Sequence, residues 1–552
     1  MQQQRATDAI ELPTHHTRRR SRVEIPDSVD VAIIGAGLGG LTAAAYLAHA
    51  GHTVAVFDGH YVAGGCATSF ARGSRSNRYV FDVGVHYVGE GGPGAEFEQL
   101  LAPIGAEVEF VQLDPDGFDR LIFPDFEFRV PSDRALYRDR LVDLFPEERR
   151  GIDRYMATLA QIQCFHTKLS SSFGVMTPDT AALMFLRAPS VAALLATGIT
   201  TRTFLDLCTK DPMLRAVLLG QNGDYALPPS EVSPLLHCGL ANHYFDSGAW
   251  YPKGGGQIIA DRIAESVEDA GGSIHLQTVV DRVIVENGRA VGIEVSPRGA
   301  EETQTVRARA VLSNADPQKT LLELVGPAHL SSRQQRRATN WKLSEGIFIT
   351  FLGIDGDVSE FGLENCNYWV FDHYDTERLY SSVRADNDLL PQAAYITSAS
   401  MKDPDSPGHC PPGQSTVEVM TVLPSDPEWW GASAETLQHN SYRKSPEYTG
   451  RKQKIETELV HRLDSMFPGI GRRVLFCESS TPLSHMRYTR ASAGSGYGLA
   501  ATPGQFGLSR PRTRLPLRGL YCAGASCRNG HGVLPAVLSG VTTARDLSAD
   551  LE

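Results

Sequence analysis

Positive charge is in deficit along this chain of 552 residues. Lys and Arg number 52 against 64 Asp and Glu, a net charge of −12. That balance excludes an extended nucleic-acid-binding face, which needs a basic excess. Cysteine is sparse and unpatterned: nine residues, at 66, 164, 208, 238, 366, 410, 477, 522 and 527, with no C-x-x-C. An odd, scattered set provides neither a disulfide framework nor a zinc site, and reads as reduced thiols in a cytosolic protein. Long apolar runs are missing too. The longest, residues 181–199, is broken by Arg187, Pro189 and Gly198, which makes it a poor membrane span. An interfacial helix pair making peripheral membrane contact stays compatible with it, as do core packing and a substrate lid. Residues 1–28 are polar, carry Arg18-Arg19-Arg20 and lack an apolar stretch, so they read as a disordered leader and not a signal peptide. The chain has no G-x-S-x-G elbow, no H-E-x-x-H and no metal-ligand cluster, which argues against hydrolase and metalloenzyme chemistry.

One motif organises what is present. Val31-Ala32-Ile33-Ile34 is a short β-branched run of the kind found in buried parallel strands. It gives way at once to Gly35-Ala36-Gly37-Leu38-Gly39-Gly40, with glycines 35, 37 and 40 spaced G-x-G-x-x-G, and then to an Ala-rich helix over residues 42–50. The first glycine makes the turn, the second admits backbone to a pyrophosphate, and the third lets helix and strand pack closely. A second strand, Thr53-Val54-Ala55-Val56-Phe57, ends in Asp58. This carboxylate lies about 20 residues past the glycines, where an acid accepts from a ribose. Strand, helix, strand and acid in register define a dinucleotide site.

Further along, Gly64-Gly65 offers more bare backbone to the same pyrophosphate. The strand-like run over residues 79–89 carries Gly84 and Gly89, and glycine within a strand marks close approach of a ligand. Gly64-Gly65 followed by Phe81-Asp82-Val83-Gly84-Val85-His86-Tyr87 resembles the FAD enzymes that include phytoene desaturases, carotenoid isomerases and retinol saturases. The His86-Tyr87 pair looks most like the retinol saturase branch, as do Gly223-Asp224-Tyr225-Ala226-Leu227-Pro228-Pro229, His237 and Asn242-His243-Tyr244.

Between residues 107 and 244 short aromatic strands precede helical stretches. The apolar series 180–219 reads as the roof of an apolar tunnel or as plain core. Trp250-Tyr251-Pro252-Lys253-Gly254-Gly255-Gly256 opens a helix over residues 257–270 with no strand expected before it. Two strands, a turn at Asn287-Gly288 and a further strand make a hairpin, since Asn-Gly between alternating apolar runs is a strong turn signal. Residues 310–317 return a strand to the nucleotide sheet. Residues 346–353, 393–398 and 416–423 alternate as strands of a mostly antiparallel sheet. Near the end, Gly519-Leu520-Tyr521-Cys522-Ala523-Gly524 is a strand into a glycine turn. Gly530-His531-Gly532-Val533 then opens a last helix, one more phosphate- and ring-binding terminus.

The resemblance implies an α/β fold, a Rossmann-type FAD-binding domain of the glutathione-reductase/amine-oxidase kind with an inserted α+β substrate domain. The FAD-binding pieces are 29–106, 250–317 and 471–552, and the substrate pieces 107–249 and 318–470. It implies FAD held by Gly35, Ala36, Gly37, Gly40, Asp58, Gly64, Gly65, Gly84, Val85 and His86, with Val280 at the adenine side and Gly524, Gly532 and Val533 closing over the ring. The presence of one fingerprint and not two means that a reduced donor reaches the flavin directly, or that electrons pass to a quinone or other partner.

An apolar tunnel against a flavin suits a polyene, retinoid or unsaturated lipid better than a charged metabolite. Saturating a C=C bond takes a hydride at one carbon and a proton at the other, and desaturation reverses this. His86 and Tyr87 are the first candidates for the proton-handling group, with Tyr251 and His531 behind them. The expected activity is FAD-dependent oxidoreduction of carbon–carbon double bonds, saturation favoured. Desaturation and cis–trans isomerisation are the alternatives within that class. A non-catalytic prenyl or lipid carrier of the Rab GDP-dissociation-inhibitor type is the alternative outside it.

Overall fold

The computed structural model describes residues 24–74, 77–171, 186–245, 247–385 and 390–552, with the side chains of 166–171 left aside. Most of the leader, and part of the 181–199 stretch, therefore lie outside the described residues.

The apolar run at the fingerprint forms strand Ser28–Ile34, whose last four residues are sealed from solvent. It is the centre of a seven-stranded sheet. On one side it pairs in parallel with Val54–Phe57, which in turn pairs with Ser273–His275; on the other it pairs with Gln304–Ser313. Leu520–Cys522 joins the far edge of Gln304–Ser313, also in parallel. The Asn287-Gly288 turn has both residues at positive φ, 49° and 72°, as the tight hairpin connection requires. It links Thr278–Glu286 to Arg289–Pro297, antiparallel. Helices Leu38–His49, Gln257–Asp269 and Val533–Leu551 cover this sheet. The first and last cross so closely that a Cβ on Gly540 would stand 2.6 Å from the Gly39 carbonyl oxygen.

The second sheet also has seven strands, in the order Val474–Ser480, Gly346–Asp355, Gln414–Leu423, Ala393–Thr397, Asn367–Phe371, Asp119–Ile122 and Glu127–Val130. It is antiparallel except where Asn367–Phe371 runs beside Asp119–Ile122. Because side chains alternate along a strand, its two faces have different company. Phe348, Leu352, Ile396, Val417 and Val419 pack under helix Pro446–Met466 through Leu459 and Leu463. Ile347, Ile349, Phe351, Tyr395 and Met420 point the other way, toward the first domain.

Two expectations are corrected, and the open choice for the apolar 180–219 series is narrowed. Val474–Ser480 hydrogen-bonds to Gly346–Asp355, so the piece assigned from residue 471 begins with a strand of the substrate sheet. A strand, Ala249–Pro252, does precede Gly254-Gly255-Gly256; it is antiparallel to Val88–Gly89 and Phe110–Gln112 in a separate small sheet, which is why no Rossmann spacing accompanies it. Within the apolar 180–219 series, helices Thr201–Cys208 and Pro212–Leu218 are plain core, packed with helix Arg149–Ser171. Of the described part of that series, Leu195 borders the central cavity, beside Ile162 and Phe165. Among the described residues, no helix is long and apolar enough to cross a membrane.

Candidate flavin and substrate site

The glycine turn is built by backbone. Gly35 has φ +94°, and the next residue, Ala36, donates its N–H to Asp58 Oδ2 at 2.8 Å. Asp58 Oδ1 accepts the His60 N–H at 2.7 Å, and the Gly64 N–H donates to the Ala36 carbonyl at 2.7 Å. Asp58 therefore fastens the first glycine turn, and through Ala36 the second is tied to it, while Asp58 still borders the cavity beneath them. Gly40 plays a different part. A Cβ there would sit 2.2 Å from the Gly35 carbonyl oxygen, so it serves helix–strand contact and does not border the cavity. Asn314, at the end of strand Gln304–Ser313, was not singled out from the sequence. Its Nδ2 lies 2.6 Å from where a Gly37 Cβ would be.

Two helix N-termini open onto one continuous cavity of about 2070 Å³. Helix Leu38–His49 starts at Gly37, and Val533–Leu551 at Gly532; neither start carries a side-chain cap. Their free N–H groups and dipoles favour negative charge. Gly35, Gly37, Gly64 and Gly65 line the cavity at the first terminus, and Gly524, Gly532 and Val533 at the second. Val280 borders it near Asp58, and Gly84, Val85 and His86 between the two. Among the described residues, buried His531 Nδ1 has no hydrogen-bonding partner. Bare backbone at two uncapped termini, with an unmatched buried nitrogen beside the second, fits a dinucleotide flavin.

The predicted proton-handling residues divide. His86 borders the cavity, with Nδ1 2.8 Å from Glu418 Oε2 and its carbonyl accepting from Lys402 Nζ at 2.5 Å. Burial pulls the Lys402 ammonium down to about 8. Tyr87 also borders the cavity, its ring stacked on Tyr244 at 4.8 Å. Its hydroxyl sits between two carboxyls, 3.1 Å from Asp119 Oδ2 and 2.9 Å from Asp224 Oδ2. Tyr251 is corrected: it is 1% exposed, its hydroxyl is bonded to Asp82 Oδ2 at 2.5 Å, and it does not border the cavity. It braces Asp82, which also takes the Ser69 hydroxyl and the Gly256 N–H. His531 does border the cavity, against the Tyr497 ring at 4.8 Å, and burial holds it neutral, pulled down to about 3.

Four titratable groups here escaped the sequence reading: Asp119, Asp224, Lys402 and Glu418. Glu418 did leave a trace, as an acid inside the apolar run Val417 to Val419. Asp224 stood within a phrase noted for its resemblance alone. Among the described residues there is no metal-binding cluster.

A mixed, mainly parallel sheet with a double glycine cradle, closed by a second sheet over an apolar cavity, defines a flavin-dependent oxidoreductase of the amine-oxidase-like class. The chain belongs to the flavin containing amine oxidoreductase family, which matches it over residues 38–548. Over 530 residues it is 27% identical to all-trans-retinol 13,14-reductase of Danio rerio, covering 91% of this chain and 83% of that one. It is 25% identical to the chloroplastic prolycopene isomerase of Daucus carota over 538 residues, 95% of this chain and 80% of that one. The crystal structure of an oxidoreductase from Methanosarcina mazei shares the fold, with TM-score 0.59 at 19% identity over 94% of this chain and 100% of that one. The protein is an FAD-dependent oxidoreductase.

Proposed function

We propose that this enzyme saturates a carbon–carbon double bond in a hydrophobic polyene, retinoid or unsaturated lipid. One observation carries the reading. The face of the second sheet turned toward the flavin cradle is apolar and aromatic, through Ile347, Ile349, Phe351, Tyr395 and Met420. Such a wall gains by shedding water against a long hydrocarbon and offers nothing to a charged metabolite. The similarity to all-trans-retinol 13,14-reductase supports a conjugated chain as the substrate class.

FAD, when bound, supplies the hydride. The chain's own contribution is to bind the polyene, keep water out and place one proton at the second carbon. The glycines of the two cradles would hold the cofactor, and Gly84, Val85, His86 and Tyr87 line the same cavity. Saturation draws its electrons from a reduced donor that reaches the flavin directly; a quinone, as an acceptor, would serve only the reverse, desaturating direction. A second reading, cis–trans isomerisation, is favoured by the resemblance to prolycopene isomerase. It uses the same site, with the hydride and proton returned.

The test is anaerobic incubation of dithionite-reduced enzyme with all-trans-retinol, a carotene and an unsaturated fatty acid, followed by mass spectrometry. Saturation predicts a product heavier by two hydrogens, with one flavin reoxidised per product. An isomer of unchanged mass would turn the assignment to isomerase. Unaltered polyenes and a flavin that stays reduced would overturn both.

A further inference from the structure

We propose that Asp224 is the acid that protonates the substrate, with the Tyr87 hydroxyl as its holder and Asp119 as the fixed negative charge behind it. This rests on the saturase reading and names a residue that neither the fingerprint nor the candidates His86 and Tyr87 supplied.

The two carboxyls flanking Tyr87 are not equivalent. Asp119 is fully buried and saturated with donors. Asn367 Nδ2 donates to its Oδ1 at 2.9 Å and Gln221 Nε2 to its Oδ2 at 2.7 Å, besides the Tyr87 hydroxyl. Asn367 is in turn oriented by Thr397, whose hydroxyl donates to its Oδ1 at 2.9 Å and accepts from Lys402 Nζ. Burial raises the Asp119 carboxyl from its ordinary range, but the Asn367, Gln221 and Tyr87 donors oppose that rise and favour its ionised form. Asp224 differs. Among the described residues its carboxyl has Tyr87 as its one hydrogen-bonding partner, and it borders the cavity. Two carboxyls sharing one hydroxyl cannot both ionise cheaply, so the proton resides on the group with fewer donors. Burial and the neighbouring Asp119 charge push Asp224 up to about 8.

Tyr87 cannot serve as the acid unaided. Burial first, then the Asp119 charge, hold its hydroxyl well above the ordinary phenol range. Losing that proton would leave a phenolate against the Asp119 carboxylate. A carboxylic acid with an affinity near neutrality is matched to proton donation at working pH. The other titratable groups around the pair include Tyr225, Tyr244, Tyr395 and Tyr497, all held protonated by burial, and His531, held neutral. On the Asp119 side they include Cys366, pushed up to about 11, and Lys402, drawn down to about 8. The infrared band described below and its loss in Asp224→Asn separate the Asp224 proton from that of Lys402. His531 Nε2 meets the Asp224 backbone carbonyl at 3.3 Å and fixes that residue's position.

The step balances. The hydride brings one hydrogen and an electron pair to one carbon. The π pair of the double bond forms a C–H bond to the proton of Asp224 at the other, and the Asp224 O–H bond breaks. The resulting carboxylate keeps the Tyr87 hydroxyl as donor and regains a proton from water when the cavity opens.

Two measurements on the FAD-loaded protein decide this. Infrared difference spectra of oxidised, substrate-free enzyme should show a protonated-carboxyl band at pH 6.5 that fades as pH passes about 8 and is missing in Asp224→Asn. With reduced enzyme and all-trans-retinol, Asp224→Asn should slow flavin reoxidation about 100-fold or more. The wild-type rate should fall above pH 8, and Asp224→Glu should restore part of it. Flavin content and melting temperature establish that each variant is folded. A band that persists in Asp224→Asn, or a variant rate and pH profile like wild type, overturns the assignment. The same holds if His86→Gln abolishes the high-pH limb and Asp224→Asn does not. Should wild type leave every polyene untouched, the saturase reading fails, and the infrared band alone decides whether Asp224 carries the proton.

Discussion

His86 Nδ1 stands 2.8 Å from Glu418 Oε2, and through that contact the loop of the FAD domain is fastened to the substrate sheet. Glu418 Oε1 accepts the Asp82 N–H at 3.1 Å from the same loop's preceding strand. One buried carboxylate therefore registers the cofactor side of the cavity against its apolar wall.

Replacing Glu418 by Leu leaves the Asp82 N–H and the His86 ring without acceptors inside the protein. We expect a loss of about 3 kcal/mol in unfolding free energy, since a buried polar group stripped of its partner bears its full desolvation cost. Glu418→Gln keeps an acceptor and should lose about 1 kcal/mol. Urea unfolding of the two variants checks the order, and equal losses would mean that the hydrogen bonds are not what holds the loop.

Gly37→Val should give folded protein with at least about a tenfold loss of FAD affinity. A branched side chain there would press on Asn314 Nδ2 and fill the opening at the first helix terminus. Adding Asn314→Ala removes the protein obstacle and should leave the affinity low, because the space needed by the cofactor stays blocked. The ratio of flavin to protein absorbance, together with thermal melting, reads this out. Full occupancy in Gly37→Val would show that backbone at this turn does not approach the cofactor.

Lys402 makes stability depend on pH. Its ammonium is drawn down from the usual 10.5 to about 8 by burial. Between about 8 and 10.5 the unfolded chain thus binds the extra proton, and stability from this group rises with pH across that window. Lys402→Met removes this contribution. The wild type should gain on the variant between pH 7.5 and pH 10 in paired denaturant titrations, and a constant gap would show that the ammonium is not depressed.

The nucleotide half of the fold was legible because its signals are local. A β-branched run, glycines at fixed spacing and an acid at a strand end each act within a few residues of themselves. The same is true of the Asn287-Gly288 turn. The boundary at 471 failed for the opposite reason: whether Val474–Ser480 joins one sheet or the other depends on a partner more than a hundred residues earlier. Tyr251 looked available beside a glycine-rich turn, and became a brace only when Asp82, 169 positions away, closed on its hydroxyl.

By itself, the sequence determined a glycine-rich nucleotide-type turn between strand and helix and that much of the remaining chain is a hydrophobic, largely antiparallel partner, since spacing and alternation are short-range properties. Only the tertiary structure decided which polar groups share the cavity. Asp119 and Asp224 are 105 positions apart and meet at one tyrosine hydroxyl because a strand of one sheet and a turn of the helical layer converge there. Their charge states follow from that burial and proximity, which the order of residues along the chain does not encode.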